Sequence, residues 1–338
     1  MKSDGYSKLR YFLCLDGVRA ASIILVLLAH TAPLGPKVWM LNAMAGRMGM
    51  ALFFCLSGFL IVNMLYHRPD VPAFLTKRVM RIVPALFLYL TALFLFLDLP
   101  LQSVILNLTF LSNYATEGLE GGPVGHLWSL CVEMHFYTAI SLAVLIGGRR
   151  AVWLVIPAAL VITMLRIDAA VISNIKTHLR ADEILVGGWL ALASLHWGQY
   201  FRQKLSSLPI AMGLISLLLF LFMLSAHDYG GSVTYLRPYI AMCLVGVVMH
   251  CRVSFLMRLL ESRIAQYIAR ISYALYIWHP LMVIGMMNTG SSFERYLIKR
   301  PISWMLTWTA AHLSTSLWES RWQRLARWLL NQRTATRA

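Results

Sequence analysis

The stretch FLCLDGVRAASIILVLLAHTAP (12–33) sets Asp16, Arg19 and His30 into an otherwise apolar run. As a helix rising about 1.5 Å per residue it is long enough to cross the ~30 Å hydrocarbon layer of a bilayer. No small-residue cleavage site follows the run, so the stretch predicts a first membrane span and not a cleaved signal peptide. Arg19 and His30 are eleven positions apart. At about 100° per residue they complete three turns with only ~20° to spare, so both side chains share one face, roughly 16 Å apart along the axis. An ionisable residue inside a span is costly and marks a candidate functional site. The plainer alternative leaves Arg19 reaching for the membrane surface and His30 hydrogen-bonded in the packing; spacing alone does not choose between them.

The rest of the chain has the same solvent. Of 338 residues, 59% are hydrophobic and 13% charged, about half the ~25% charged residues of a soluble domain. With a mean hydropathy of +0.66, the chain has too few polar side chains to cover itself in water. Further apolar runs lie at 48–66, 80–98, 127–147, 151–166, 183–197, 208–225, 234–250, 267–287 and 302–318. The expected fold is an all-α integral membrane protein, a bundle of about ten transmembrane helices. The runs at 151–166 and 183–197 are short, and LQSVILNLTFLSNYA (101–115) reads as an interfacial or re-entrant piece outside that count. No internal repeat stands out, and a single transmembrane domain over residues 1–338, with no appended soluble domain, is expected.

A net charge of +16 raises the question of nucleic acid. The basic residues punctuate apolar runs instead of forming one stripe or module, so no nucleic-acid partner is expected. With the N-terminus cytoplasmic and every run crossing, most of the 30 Lys and Arg fall on the inner side, which places both termini in the cytoplasm. Two outer loops depart from this pattern, one with Arg166, Lys176 and Arg180, the other with Arg295, Lys299 and Arg300. Those charges are candidates for facing a ligand. Cys14, Cys55, Cys131, Cys243 and Cys251 are scattered with no CxxC pair, so neither a disulfide framework nor a metal site is expected.

Three more places put polar groups near apolar runs. Lys77, Arg78 and Arg81 open the third run, with Arg78 and Arg81 on one face and Pro84 beyond. Guanidinium forks suit phosphate, although basic clusters at inner helix ends are also ordinary topology determinants. Glu133 sits in HLWSLCVEMHFY (126–137), one turn after Ser129 and near His126 and His135. A Ser-His-Glu nucleophile is conceivable there, but nothing resembles a nucleophile elbow. In ARISYALYIWHPL (269–281), Pro280 should free a backbone carbonyl and kink the helix, and His279 either satisfies that break or takes part in chemistry.

In this order, LDGVRAASIILVLLAH (15–30), LFFCLSGFLI (52–61), KRVMRIVPAL (77–86), HLWSLCVEMHFY (126–137), ISYALYIWHP (271–280) and LWESRWQRLARWL (317–329) resemble the acyltransferase-3 family of bacterial membrane proteins. The resemblance covers nearly the whole chain. It implies transfer of an acyl group, commonly acetyl, to a sugar hydroxyl of a polysaccharide, lipopolysaccharide or other glycan, in the bacterial cytoplasmic (inner) membrane. It implies acetyl-CoA or another acyl-CoA as donor substrate, a glycan or lipid-linked saccharide as acceptor, and no bound cofactor or metal. The family's pair in the first span falls on Arg19 and His30, its basic pair on Arg78 and Arg81, and its carboxylate on Glu133. Met134 and His135 depart from the pattern, standing where relatives often have Glu and Gln.

These expectations combine into a mechanism. Arg78, Arg81 and Arg19 hold the phosphates of the donor at the cytoplasmic side, and the pantetheine arm follows the Arg19–His30 face. His30 accepts the proton of the attacking hydroxyl, since an imidazole titrates in the useful range. Glu133 orients that imidazole, with Asp16, Ser129 and His279 as accessory groups. Direct attack and an acyl-enzyme route both remain open. So do two rivals: a proton-coupled carrier of small molecules or lipid-linked sugars, and acylation of a glycosylated secondary metabolite.

Overall fold

The computed structural model describes residues 3–115, 122–251, 253–284, 287 and 289–335. Among these residues there is no strand. The first helices are α1 (Ser3–Thr31), α2 (Leu41–His67), α3 (Val71–Phe96), α4 (Leu101–Leu108), α5 (Trp128–Gly147), α6 (Val155–Asp168) and α7 (Asp182–Lys204). There follow α8 (Leu208–Ala226), α9 (Arg237–His250), α10 (Ser254–Leu260), α11 (Arg263–Trp278), α12 (Arg300–Leu313) and α13 (Ser320–Ala335).

Among the described residues, six helical segments are long and apolar enough to cross a membrane: Leu13–Thr31, Lys37–His67, Val71–Phe96, Gly122–Asp168, Leu208–Ala226 and Gly231–His250. The protein is therefore an all-α membrane protein. Five of the expected runs fall inside these segments, and 12–33 and 80–98 overhang theirs by one or two residues; 127–147 and 151–166 share one segment, divided by a 3-10 turn over Gly148–Leu154. On α8, Leu217, Phe220 and Met223 are each more than 40% uncovered, an outer face suited to lipid and not to water.

The remaining runs take other forms. α7 extends beyond 183–197 at both ends, carrying Asp182 and Glu183 in its first turn and Arg202 and Lys204 in its last. The run expected at 267–287 is not one kinked helix. α11 stops at Trp278 and the chain enters a 3-10 turn, His279–Met282, because Pro280 cannot donate to a helix. Residues 285 and 286 of that run lie outside the described residues. The run at 302–318 continues past its expected end, through a π-helical turn (Ser314–Glu319) into α13. The piece at 101–115 is α4 plus a 3-10 turn at Ser112–Tyr114. At eight residues α4 spans about 12 Å, too little to cross.

The chain divides into two compact units. The first holds Met1–His67, Arg150–Asn174 and His178–Ser272, with α2 at its centre. Phe54, Cys55, Ile61, Val62 and Leu65 of α2 are fully buried, and α2 packs on α1, α7, α8 and α9. Its contact with α7 is close because both helices present glycine. A Cβ on Gly58 would stand 1.8 Å from the Ile184 carbonyl oxygen, and one on Gly187 2.0 Å from that of Cys55. Small residues are what let helix backbones meet this closely in lipid. Gly58→Val should therefore cost about 1–3 kcal/mol or more, seen as a lower unfolding temperature in detergent. An unchanged temperature would contradict this packing.

The second unit holds Arg68–Arg149, Ile175–Thr177 and Tyr273–Ala338. α3 is its axis. The Asp70 carboxylate accepts from the Ala73 backbone N–H at 3.1 Å, and Pro72 occupies the first turn, so the helix start is well capped. α3 packs on α4, α5, α13 and the Ser314–Glu319 turn, and buries Leu86, Tyr89, Leu90 and Leu93.

Candidate active site

In the second unit, α3 and α5 bring Arg78 and Glu133 together around Tyr137, with Arg81 one turn further along α3. Arg78 and Arg81 are half-buried on α3. The Arg78 guanidinium lies 5.6 Å from the ring centre of Tyr137 and 5.8 Å from that of Phe74. The two rings meet edge to face at 5.6 Å, so Arg78 rests on an aromatic platform. The Tyr137 hydroxyl donates to Glu133 Oε1, one turn back on α5. Glu133 is 6% exposed, and Tyr137 links it to Arg78. Sequence reasoning passed over Tyr137, although its i, i+4 spacing from Glu133 was the available signal.

The accessory groups of this unit find specific partners. Ser129 Oγ is 2.6 Å from the Tyr276 hydroxyl, which donates to the His126 carbonyl. Tyr276 is thus the hydrogen-bond partner shown for Ser129, in place of the imidazole that a serine nucleophile would need. His279 Nδ1 is 2.6 Å from the Tyr276 carbonyl oxygen. Pro280, four residues on from Tyr276, lacks the N–H that would have bonded that carbonyl, and the imidazole serves in its place. His126 and His279 also meet ring to ring, 5.1 Å between centres. His135, one of the departures from the family pattern, has Nδ1 2.7 Å from Thr177 Oγ1.

In the first unit, α1 is one unbroken helix from Ser3 to Thr31, so Arg19 and His30 do share a face. Asp16 and Arg19 are partly covered, whereas His30 is exposed in the last turn. The chain reversal just after His30 is pinned by Asn42. Its amide nitrogen donates to the carbonyls of Ala29 at 2.9 Å and Ala32 at 2.6 Å, and its oxygen accepts from the Leu34 N–H at 3.4 Å. These bonds satisfy carbonyls that a helix C-terminus leaves open. Gly49 keeps α2 close to α1, since a Cβ there would stand 2.8 Å from the Ser22 carbonyl oxygen.

The acyltransferase domain model matches residues 12–318, nearly the whole chain. The chain belongs to the acyltransferase-3 family. Two relatives, each named O-acetyltransferase OatA and found in Staphylococcus aureus strains NCTC 8325 / PS 47 and MRSA252, are 24% identical over 322 residues. Those alignments cover 81% of this chain and 51% of each relative, so the chain spans about half the length of the curated relatives it matches. No solved structure matches. Every site residue expected from the sequence lies inside the acyltransferase-3 match.

This acyltransferase-3 chain also holds a charged network that sequence reasoning missed. Arg166 of α6 pairs with Asp182, and Glu183 pairs with Arg180 at 3.1 Å and with Arg237 of α9 at 3.0 Å. All five side chains are 2% exposed or less. Arg166 and Arg237 also donate to the Ile172 carbonyl, at 2.9 and 3.2 Å. Arg166 and Arg180, which their place in an outer loop had made candidates for facing a ligand, are buried in ion pairs that tie α6, α7 and α9 together. The adjacent acids Asp182 and Glu183, opening a helix whose N-terminus favours negative charge, were the legible half of the network. In the second unit Lys299 pairs with Glu294 at 2.8 Å, and Arg300 is buried.

Proposed function

We propose that this chain is a membrane O-acyltransferase that moves an acetyl group from acetyl-CoA to a sugar hydroxyl of a cell-surface or exported glycan. The observation that carries this reading is the acyltransferase match across residues 12–318. The name O-acetyltransferase, borne by the relatives, supports acetyl as the group and oxygen as its acceptor atom. We take the chain as one domain over residues 1–338 in a bacterial inner membrane, with about ten spans and both termini cytoplasmic, supported by the one-sided distribution of Lys and Arg.

In this reading the donor's phosphates bind Arg78 and Arg81, with Arg19 as a further cation. The ring platform under Arg78 limits the ways its guanidinium can turn, which favours a bidentate grip on phosphate. The sugar hydroxyl attacks the thioester carbonyl carbon and its proton passes to His30. The C–S bond breaks, and coenzyme A leaves as the thiolate, which takes the proton back from the His30 imidazolium. Glu133, hydrogen-bonded by Tyr137, is the carboxylate to which we assign the orientation of that imidazole. Asp16, Ser129 and His279 are accessory.

Arg78→Ala tests the donor half of this reading. A charge-assisted hydrogen bond contributes about 1.5–3 kcal/mol, so KM for acetyl-CoA should rise roughly 10- to 150-fold in membranes where the variant accumulates normally. A KM equal to that of the unaltered protein would remove Arg78 from the donor site.

A further inference from the structure

Glu319 is a buried carboxylate that the mechanism above does not use. It is 3% exposed and closes the π-helical turn Ser314–Glu319. Both hydroxyls that bond it, Ser314 Oγ at 3.2 Å and Thr315 Oγ1 at 3.3 Å, donate to the same oxygen, Oε1. A buried ion kept by two neutral hydroxyls alone is costly, and it needs an opposite charge nearby. π-helical turns inside α-helical runs recur where a side chain has a task.

The turn is fastened to α3 next to Arg81. Trp318 Nε1 donates to the Pro84 carbonyl at 2.9 Å. The Tyr273 hydroxyl donates to the Ile82 carbonyl at 2.8 Å. These two carbonyls follow Arg81 on α3 by one and three residues. α13 then runs on beside α3, where Arg333 approaches Asp70 at 3.6 Å. Glu319 follows Trp318 directly, so its turn is held against α3 within one helical turn of Arg81.

We propose that Glu319 is a positioning residue for the acyl donor: its carboxylate is the counter-charge that holds the Arg81 guanidinium in place for the donor's phosphates. This rests on the reading of Arg81 as a donor-binding residue. Glu319 touches no reacting atom. Its influence falls on donor affinity, through the aim of Arg81, and leaves the chemical step alone.

The test is steady-state kinetics of the full chain in lipid nanodiscs, with acetyl-CoA varied, for E319Q, E319D, R81A and the double variant R81A/E319Q. E319Q keeps shape and an oxygen for the two hydroxyls but removes the charge. It should raise KM for acetyl-CoA about tenfold and change kcat by less than about twofold. E319D, which keeps the charge on a shorter arm, should recover part of that loss. The double variant should be no worse than R81A alone, because both act through one guanidinium. If E319Q accumulates normally and keeps the original KM, the proposal is wrong. Should E319Q fail to fold, E319D decides: an unchanged KM overturns the proposal and a raised one supports it. R81A with an unchanged KM would overturn the donor reading itself, whereas a raised KM in R81A beside an unchanged one in E319Q would overturn only the role of Glu319.

Discussion

Membranes carrying His30→Ala should transfer acyl groups about 10²- to 10⁴-fold more slowly than those with the unaltered chain, the loss expected when a general base is removed. A sugar hydroxyl is a poor nucleophile at neutral pH, and its attack on a thioester needs a proton acceptor at the right moment. His30 is suited to that work by type and by place. It is an imidazole in the last turn of α1, exposed, and on the same helix face as Arg19. The residue is exposed at the end of α1, so insertion and yield should stay normal in the variant. The measurement is transfer rate per amount of folded protein. A variant within about threefold of the original rate would take the proton from some other group and end the assignment.

The second large effect is structural. Glu183→Ala should destabilise the first unit by about 3–5 kcal/mol, because it strands Arg180 and Arg237 in a buried site. One carboxylate there serves two guanidinium groups, and neither arginine is more than 2% exposed. With a marginal total stability of some 5–15 kcal/mol, such a loss should appear as poor accumulation and rapid proteolysis in membranes. Replacing Glu183 and Arg237 together by neutral residues should be milder than the single change, since fewer charges stay unpaired. An unfolding temperature equal to the original after Glu183→Ala would show that the network contributes nothing to the fold.

How much of this was legible in the sequence depends on the distance over which each feature acts. The Arg19–His30 face follows from helix periodicity within one element, and α1 is continuous enough to keep it. The apolar runs follow from composition, and six segments answer to them directly. α7 was underestimated because its ends are charged, yet those charges are sheltered by partners elsewhere in the chain. Glu183 meets Arg237 across 54 positions, a pairing that no local pattern announces. The same holds for Tyr276, which reaches Ser129 across 147 positions. His279 was legible in kind: Pro280 announced a broken hydrogen bond, but only the fold shows the imbalance resolved by ending α11 at Trp278 and setting Nδ1 on the Tyr276 carbonyl. Glu319 stood among the tryptophans and arginines of LWESRWQRLARWL (317–329), and nothing in that run shows that it turns inward against α3.

Transfer of an acyl group from a thioester to a sugar oxygen is the activity proposed for this chain. The most direct measurement reconstitutes the purified chain in proteoliposomes with radiolabelled acetyl-CoA and a mixed glycan acceptor, and follows label that mild alkali releases from the glycan. Alkali-labile label should appear only when the chain is present and should be lost in His30→Ala. Properly inserted protein that transfers no label, or that labels glycan equally well with and without His30, would contradict it.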